Sequence, residues 1–64
     1  MYKLRSNFND IVETYQLDPY EAIAALDSII NIYCIAHKLF IMNKQTSAYM
    51  IKQLVYLKYE HTPF

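Results

Sequence analysis

The pattern of apolar and polar positions divides the chain into three segments with helical spacing. In the first segment, apolar side chains recur at intervals that place them on one face of an α-helix: Leu4, Phe8, Ile11, Val12 and Tyr15. Polar Asp10 and Glu13 fall on the opposite face. This pattern predicts a first helix over about residues 6–16, with Ser6 or Asn7 as its N-cap.

The second segment opens with a strong helix-start signal. Asp18 precedes Pro19, and Glu21 stands three positions after Asp18, which predicts a capping box with proline in the first helical position. From there the pattern predicts one uninterrupted long helix over residues 19–43. Its first half carries a polar stripe of Ala24, Asp27, Ser28 and Asn31, whereas its second half is apolar on nearly every side.

The third segment predicts a helix over residues 47–59 with Thr46 or Ser47 as its cap. Its apolar side consists of Met50, Ile51, Leu54, Val55 and Leu57. Short connections favour antiparallel neighbours. We therefore expect helix 1 to lie along the N-terminal half of helix 2, and helix 3 along its C-terminal half.

A helix that is apolar all round has to be buried on all sides. The chain has 64 residues, and chains of this size are marginally stable alone. The expected solution is an all-α, three-helix protomer, one helical domain over residues 1–64, that forms an intertwined homodimeric bundle. The predicted dimer interface lies along helix 2, at Ile32, Ile35, Leu39 and Met42.

Composition supports an all-helical fold. The chain contains no glycine, which leaves few ways to form tight hairpins or phosphate-binding loops. Cys34 is the only cysteine, so an internal disulfide is impossible. We expect this thiol to be a small buried hydrophobic group in a reduced compartment.

Charge is balanced overall but unevenly placed. Residues 1–32 carry two basic and five acidic side chains (net −3), and residues 33–64 carry four basic and one acidic (net +3). Such asymmetry favours association with a charged partner or with a like chain in head-to-tail packing. Residues 22–42 are long enough to cross a membrane, but charged and polar side chains interrupt them. With no secretory signal at the start, we expect a cytoplasmic protein that does not bind membranes.

Candidate chemistry is sparse. Cys34 and His37 stand three residues apart on one helix face, and two copies of the chain would supply the four ligands that zinc accepts. No second ligand pair follows in the sequence, so the simpler interpretation is a thiol and a core-edge histidine. No nucleophile, base and orienting group fall together. We expect no catalytic residue, metal or cofactor, and no enzyme activity.

Helix 3 presents the best surface for a partner. Tyrosine, lysine and glutamine recur at helical spacing opposite its apolar side, at Tyr49, Lys52, Gln53, Tyr56 and Tyr59. Tyrosine is enriched at protein interfaces, although the same positions are typical of tyrosines half-buried at a core edge. We predict a non-enzymatic, homodimeric interaction module that binds and modulates another protein, a regulator or inhibitor of the kind that phages and mobile elements encode.

The segment from Ile35 to Leu54 also resembles a helix-turn-helix. The resemblance covers about a third of the chain and includes Ala36, Leu39, Ile41 and the run Lys44-Gln45-Thr46. It implies an alternative function as a dimeric DNA-binding regulator with helix 3 as the recognition helix. The residues facing DNA would then be Gln45, Thr46, Ser47, Tyr49 and Lys52.

Overall fold

The computed structural model describes residues 2–63, which form three α-helices: α1 (Tyr2–Tyr15), α2 (Pro19–Lys38) and α3 (Lys44–His61). The all-α prediction is confirmed. Helix α1 begins earlier than predicted, and α3 extends beyond its predicted range at both ends. Helix α2 has 20 residues and α3 has 18, so the expected long central helix is only slightly longer than its neighbour.

Polar side chains cap the starts of α2 and α3. The predicted capping box is confirmed, since Asp18 Oδ1 accepts from the Glu21 N–H at 2.8 Å and Glu21 Oε1 accepts from the Asp18 N–H at 3.0 Å. At the start of α3, Asn43 Oδ1 accepts from the backbone N–H groups of Gln45 and Thr46. The predicted cap at Thr46 or Ser47 is therefore wrong, because Asn43 satisfies these donors one turn earlier.

The predicted end of helix 2 at Asn43 is wrong, because α2 ends at Lys38. Phe40 follows in the left-handed region with φ of 57°. The Ile41 N–H then donates to the Ala36 carbonyl at 3.0 Å, and the Phe40 N–H to the His37 carbonyl at 3.4 Å. This pair of bonds is a Schellman motif, which terminates a helix.

Helix α1 ends in the same way. Gln16 has φ of 52°, the Leu17 N–H donates to the Val12 carbonyl at 3.0 Å, and the Gln16 N–H donates to the Glu13 carbonyl at 3.3 Å. Glycine is the usual residue at the left-handed position. Because neither position holds glycine, the apolar pattern of helix 2 continues through its true end without a visible stop signal.

Helices α2 and α3 form an antiparallel hairpin. At one end Lys58 Nζ lies 2.7 Å from Asp27 Oδ1, and at the other His37 Nδ1 lies 2.5 Å from Ser47 Oγ. These two contacts show that α3 lies alongside α2 over more than half of the length of α2. The predicted packing of helix 3 against only the C-terminal half of helix 2 is wrong, because α2 is shorter and α3 longer than expected.

Helix α1 packs across the open end of this hairpin. Phe8 contacts the His61 ring edge-to-face with centroids 5.2 Å apart, His61 Nε2 lies 3.1 Å from Asn9 Oδ1, and Arg5 pairs with Glu60. The buried core draws on all three helices and consists of Phe8, Ala22, Leu26, Leu54 and Leu57. Ile11 and Tyr15, predicted to face the core, are exposed instead, because the core contacts of α1 lie along the narrower stripe of Leu4, Phe8 and Val12.

Candidate interaction surfaces

A group of large apolar side chains is exposed at the end of the hairpin that α1 does not cover. The exposed fractions are 64% for Ile32, 50% for Ile35, 62% for Leu39, 73% for Phe40 and 72% for Ile41. We call these five residues the hairpin-end surface. The apolar second half of helix 2 was expected to need burial on every side, and a single chain leaves much of it open.

The predicted dimer residues fall in two places. Ile32 and Ile35 are on the exposed face of α2, and Leu39 is its exposed C-cap residue. Met42 lies in the connection between α2 and α3 and is half-buried. The prediction that Met42 continues the same helical stripe is wrong, because α2 has ended before it.

Phe40 and Ile41 fall inside the predicted helix over residues 19–43. They are exposed outside α2 instead, where the left-handed turn at Phe40 ends the helix. Lys44 Nζ lies 4.2 Å from the centroid of the Phe40 ring, which is a cation–π contact. The hairpin-end surface therefore has a basic margin.

The predicted partner-binding residues form a second surface on α3. Tyr49, Lys52, Tyr56 and Tyr59 are exposed, and Gln53 is half-buried. Lys52 Nζ lies 5.9 Å from the centroid of the Tyr56 ring, near the outer limit of a cation–π contact. We call these five residues the tyrosine surface.

Ser47 is the one fully buried polar side chain among the described residues. Its Oγ lies 3.2 Å from the Lys44 carbonyl oxygen and 2.5 Å from His37 Nδ1. The prediction that Ser47 faces DNA is wrong, because this residue points into the contact between α2 and α3. Although serine and histidine are within hydrogen-bond reach, a hydroxyl with 0% exposure cannot be approached by a substrate, so the pair is structural.

Cys34 is exposed, and the predicted burial of its thiol is wrong. His37, three residues later, is half-buried and contacts Ser47. The two potential zinc ligands therefore lie in different environments.

Among residues 2–63, no three or more His, Cys, Asp and Glu side chains are grouped so that they could hold a metal ion. None of the described helices combines the length and apolar character needed to cross a membrane. Comparison with known proteins finds no matching family model, no similar curated protein and no similar solved structure.

Proposed function

We propose that this chain is a non-enzymatic, homodimeric protein–protein interaction module that binds and modulates another protein. The observation that carries the proposal is the hairpin-end surface, in which five large apolar side chains within ten residues of chain are exposed. Single exposed apolar side chains are ordinary, but a contiguous apolar patch on a small protein marks an interaction site. In this proposal Ile32, Ile35 and Leu39 form the contact between two copies.

Energetics favour covering this surface. Full burial of an isoleucine or leucine side chain stabilises by about 1.5–3 kcal/mol relative to exposure. Ile32, Ile35 and Leu39 are at least half exposed, so a large share of that free energy is still to be gained. A two-fold dimer gains it twice, because each copy contributes the same residues.

The tyrosine surface is the proposed site for the second protein. Tyrosine side chains provide large contact area with few rotatable bonds, so little entropy is lost when they are fixed at an interface. Tyr49, Tyr56 and Tyr59 are exposed on α3. This surface remains free when two copies meet through α2, since the two surfaces are on different helices.

The hairpin geometry supports this proposal over DNA binding by helix 3. The two helices of a helix-turn-helix cross at about 90–120°, whereas α2 and α3 run antiparallel with contacts near both ends of their overlap. One of the residues that the resemblance assigns to DNA, Ser47, is fully buried. Of the exposed remainder of that set, Tyr49 and Lys52 belong equally to the tyrosine surface.

The dimer is tested by light scattering behind a size-exclusion column over a dilution series. We expect a mass near twice 7.6 kDa for the parent protein. Ile35→Glu or Leu39→Glu puts a charge into the contact and should yield monomer or unfolded chain. Tyr15→Glu is the matched control, because Tyr15 is an exposed side chain on α1, and this variant should keep the parent mass.

A parent protein that is monomeric at every concentration contradicts the homodimer. The tyrosine surface is tested separately, by comparing capture of a binding protein by Tyr56→Ala and by Tyr15→Ala. We expect the first substitution to abolish the interaction and the second to preserve it. Equal capture by both variants contradicts the assignment of the partner site to α3.

A further inference from the structure

The exposed face of α2 changes in side-chain size halfway along the helix. At 100° per residue, six exposed residues share a sector about 80° wide: Glu21, Ala24, Ser28, Ile32, Ile35 and Leu39. After Glu21 in the first turn, the next two are small, and the three in the second half are large. A helix that packs on this face therefore meets a shallow surface at one end and a raised surface at the other.

This size profile selects the direction of a second α2. In a parallel pair, large side chains meet large side chains at one end of the contact, and small side chains meet small ones at the other. The distance between the two helix axes then differs between the two ends. In an antiparallel pair the two small residues of each copy meet large residues of the other, and the two copies of Ile32 lie near the centre. Ala24 then faces Leu39 of the other copy, Ser28 faces Ile35, and the two-fold axis passes near Asn31 and Ile32.

Charges beside this face select the same direction. Asp27 and Lys38 are both exposed and lie on the same flank of α2, about 80–100° from the centre of the apolar sector. In a parallel two-fold pair, this flank of one copy lies on the opposite side of the contact from the same flank of the other, so Asp27 and Lys38 gain no partner from each other. An antiparallel pair in the register above places Asp27 of each copy beside Lys38 of the other.

The existing partner of Asp27 does not prevent this pairing. Lys58 Nζ contacts Asp27 Oδ1 at 2.7 Å, and the Asp27 side chain is still 52% exposed. The other carboxylate oxygen can accept from a second lysine. Glu21, one turn from the start of α2, would likewise approach the basic end of the partner copy near Lys44.

A stable pair needs contact along most of α2. Helix α2 has 20 residues and is about 30 Å long. A standard interface takes about 800 Å² from each partner, which is about one-sixth of the 4837 Å² accessible surface of the chain. Ile32, Ile35 and Leu39 are at least half exposed, so they would supply part of this area.

We propose that the occupant of the exposed α2 face is a second copy of this chain, bound antiparallel about a two-fold axis near Asn31 and Ile32. This inference rests on the proposed homodimer and adds its direction and register. Small residues of one copy pack against large residues of the other, and two Asp27–Lys38 ion pairs form beside this contact. Size matching and these charge pairs both favour the antiparallel arrangement over a parallel one.

The test is disulfide cross-linking from single introduced cysteines, in a Cys34→Ser background with oxidised glutathione. Ala24→Cys and Leu39→Cys proteins are mixed, refolded together and compared with each protein alone on a non-reducing gel. We expect a covalent dimer in the mixture. Each variant alone should stay unlinked, because its two copies of the residue are separated by about 22 Å along the axis, beyond the Cα separation of about 7 Å that a disulfide spans.

Ile32→Cys is the positive control, since it lies beside the axis and should link to itself. Self-linking of Ala24→Cys and Leu39→Cys would show a parallel dimer, which overturns the inference and leaves the proposed homodimer intact. A dimeric mass without the mixed cross-link overturns the inference in the same way. A monomeric mass in light scattering overturns the inference and the homodimer together.

Discussion

Ser47 and His37 introduce a polar pair into the contact between two largely apolar helices. Ser47 is fully buried and lies within hydrogen-bond distance of His37 Nδ1 and of the Lys44 carbonyl. A buried hydroxyl without such partners would destabilise the fold, so the pair requires α2 and α3 to meet in one register. The sequence shows a serine and a histidine ten residues apart, with no signal that they meet.

Replacing Ser47 by alanine should therefore destabilise the protein. We expect the free energy of unfolding to fall by about 1 kcal/mol or more, because a satisfied hydrogen bond is lost in a contact that excludes water. Urea unfolding followed by circular dichroism measures this change. Ser6→Ala is the control, since Ser6 is exposed on α1 and its replacement should change stability by no more than about 0.5 kcal/mol. Equal effects of the two substitutions would contradict the structural role of Ser47.

At the scale of helices, two elements end at non-glycine residues in the left-handed conformation. Gln16 and Phe40 have φ of 52° and 57°, and the Schellman bonds that follow hold them there. A non-glycine residue in this region costs about 1–2 kcal/mol. Both helix ends are thus mildly strained, which explains why residue propensities did not reveal them.

Gln16→Gly should stabilise the protein for this reason. Glycine removes the left-handed penalty but adds about 0.5–1 kcal/mol of unfolded-state entropy, so the expected net gain is about 0.5–1 kcal/mol. For a domain of this size the melting temperature should rise by several degrees. The control is Thr14→Gly, inside α1, which should destabilise by about 0.3–0.5 kcal/mol, because glycine has a lower helix propensity than threonine. A lower melting temperature for Gln16→Gly would contradict the assigned helix end.

At the scale of the molecule, one small core holds the three helices together. Its five buried residues come from α1, α2 and α3, and α1 contacts the hairpin mainly at the end of α3 through Phe8 and His61. A chain of 64 residues has about 3–10 kcal/mol of total stability. The free energy lost with one core contact is therefore comparable with the stability of the whole protomer.

Phe8→Ala should accordingly unfold the whole chain. Removing a buried phenylalanine costs about 3–5 kcal/mol, so α2 and α3 should lose their helical circular dichroism signal together with α1. Ile11→Ala is the matched control, because Ile11 is exposed on the same helix, and it should cost less than about 1 kcal/mol. A Phe8→Ala variant that keeps the signal of an intact α2–α3 hairpin would show that α1 is not part of one cooperative unit.

The local sequence alone determined the helical class, the number of helices and the start of α2. Asp18, Pro19 and Glu21 specify that start through backbone hydrogen bonds within one turn, and such short-range signals are visible without any tertiary context. The polar stripe of the first half of helix 2 is also visible in the sequence, since Ala24, Asp27, Ser28 and Asn31 are all exposed.

The tertiary structure decided where α2 ends, which apolar side chains remain exposed and what Ser47 contacts. The apolar pattern continues past Lys38, and only the left-handed turn at Phe40 separates α2 from α3. The exposure of Cys34, Ile32 and Leu39 depends on where α1 and α3 lie, which residue periodicity does not specify. Helical spacing states which residues share a face, but burial of that face requires a second element, whether another helix of the same chain or, as proposed for α2, another copy.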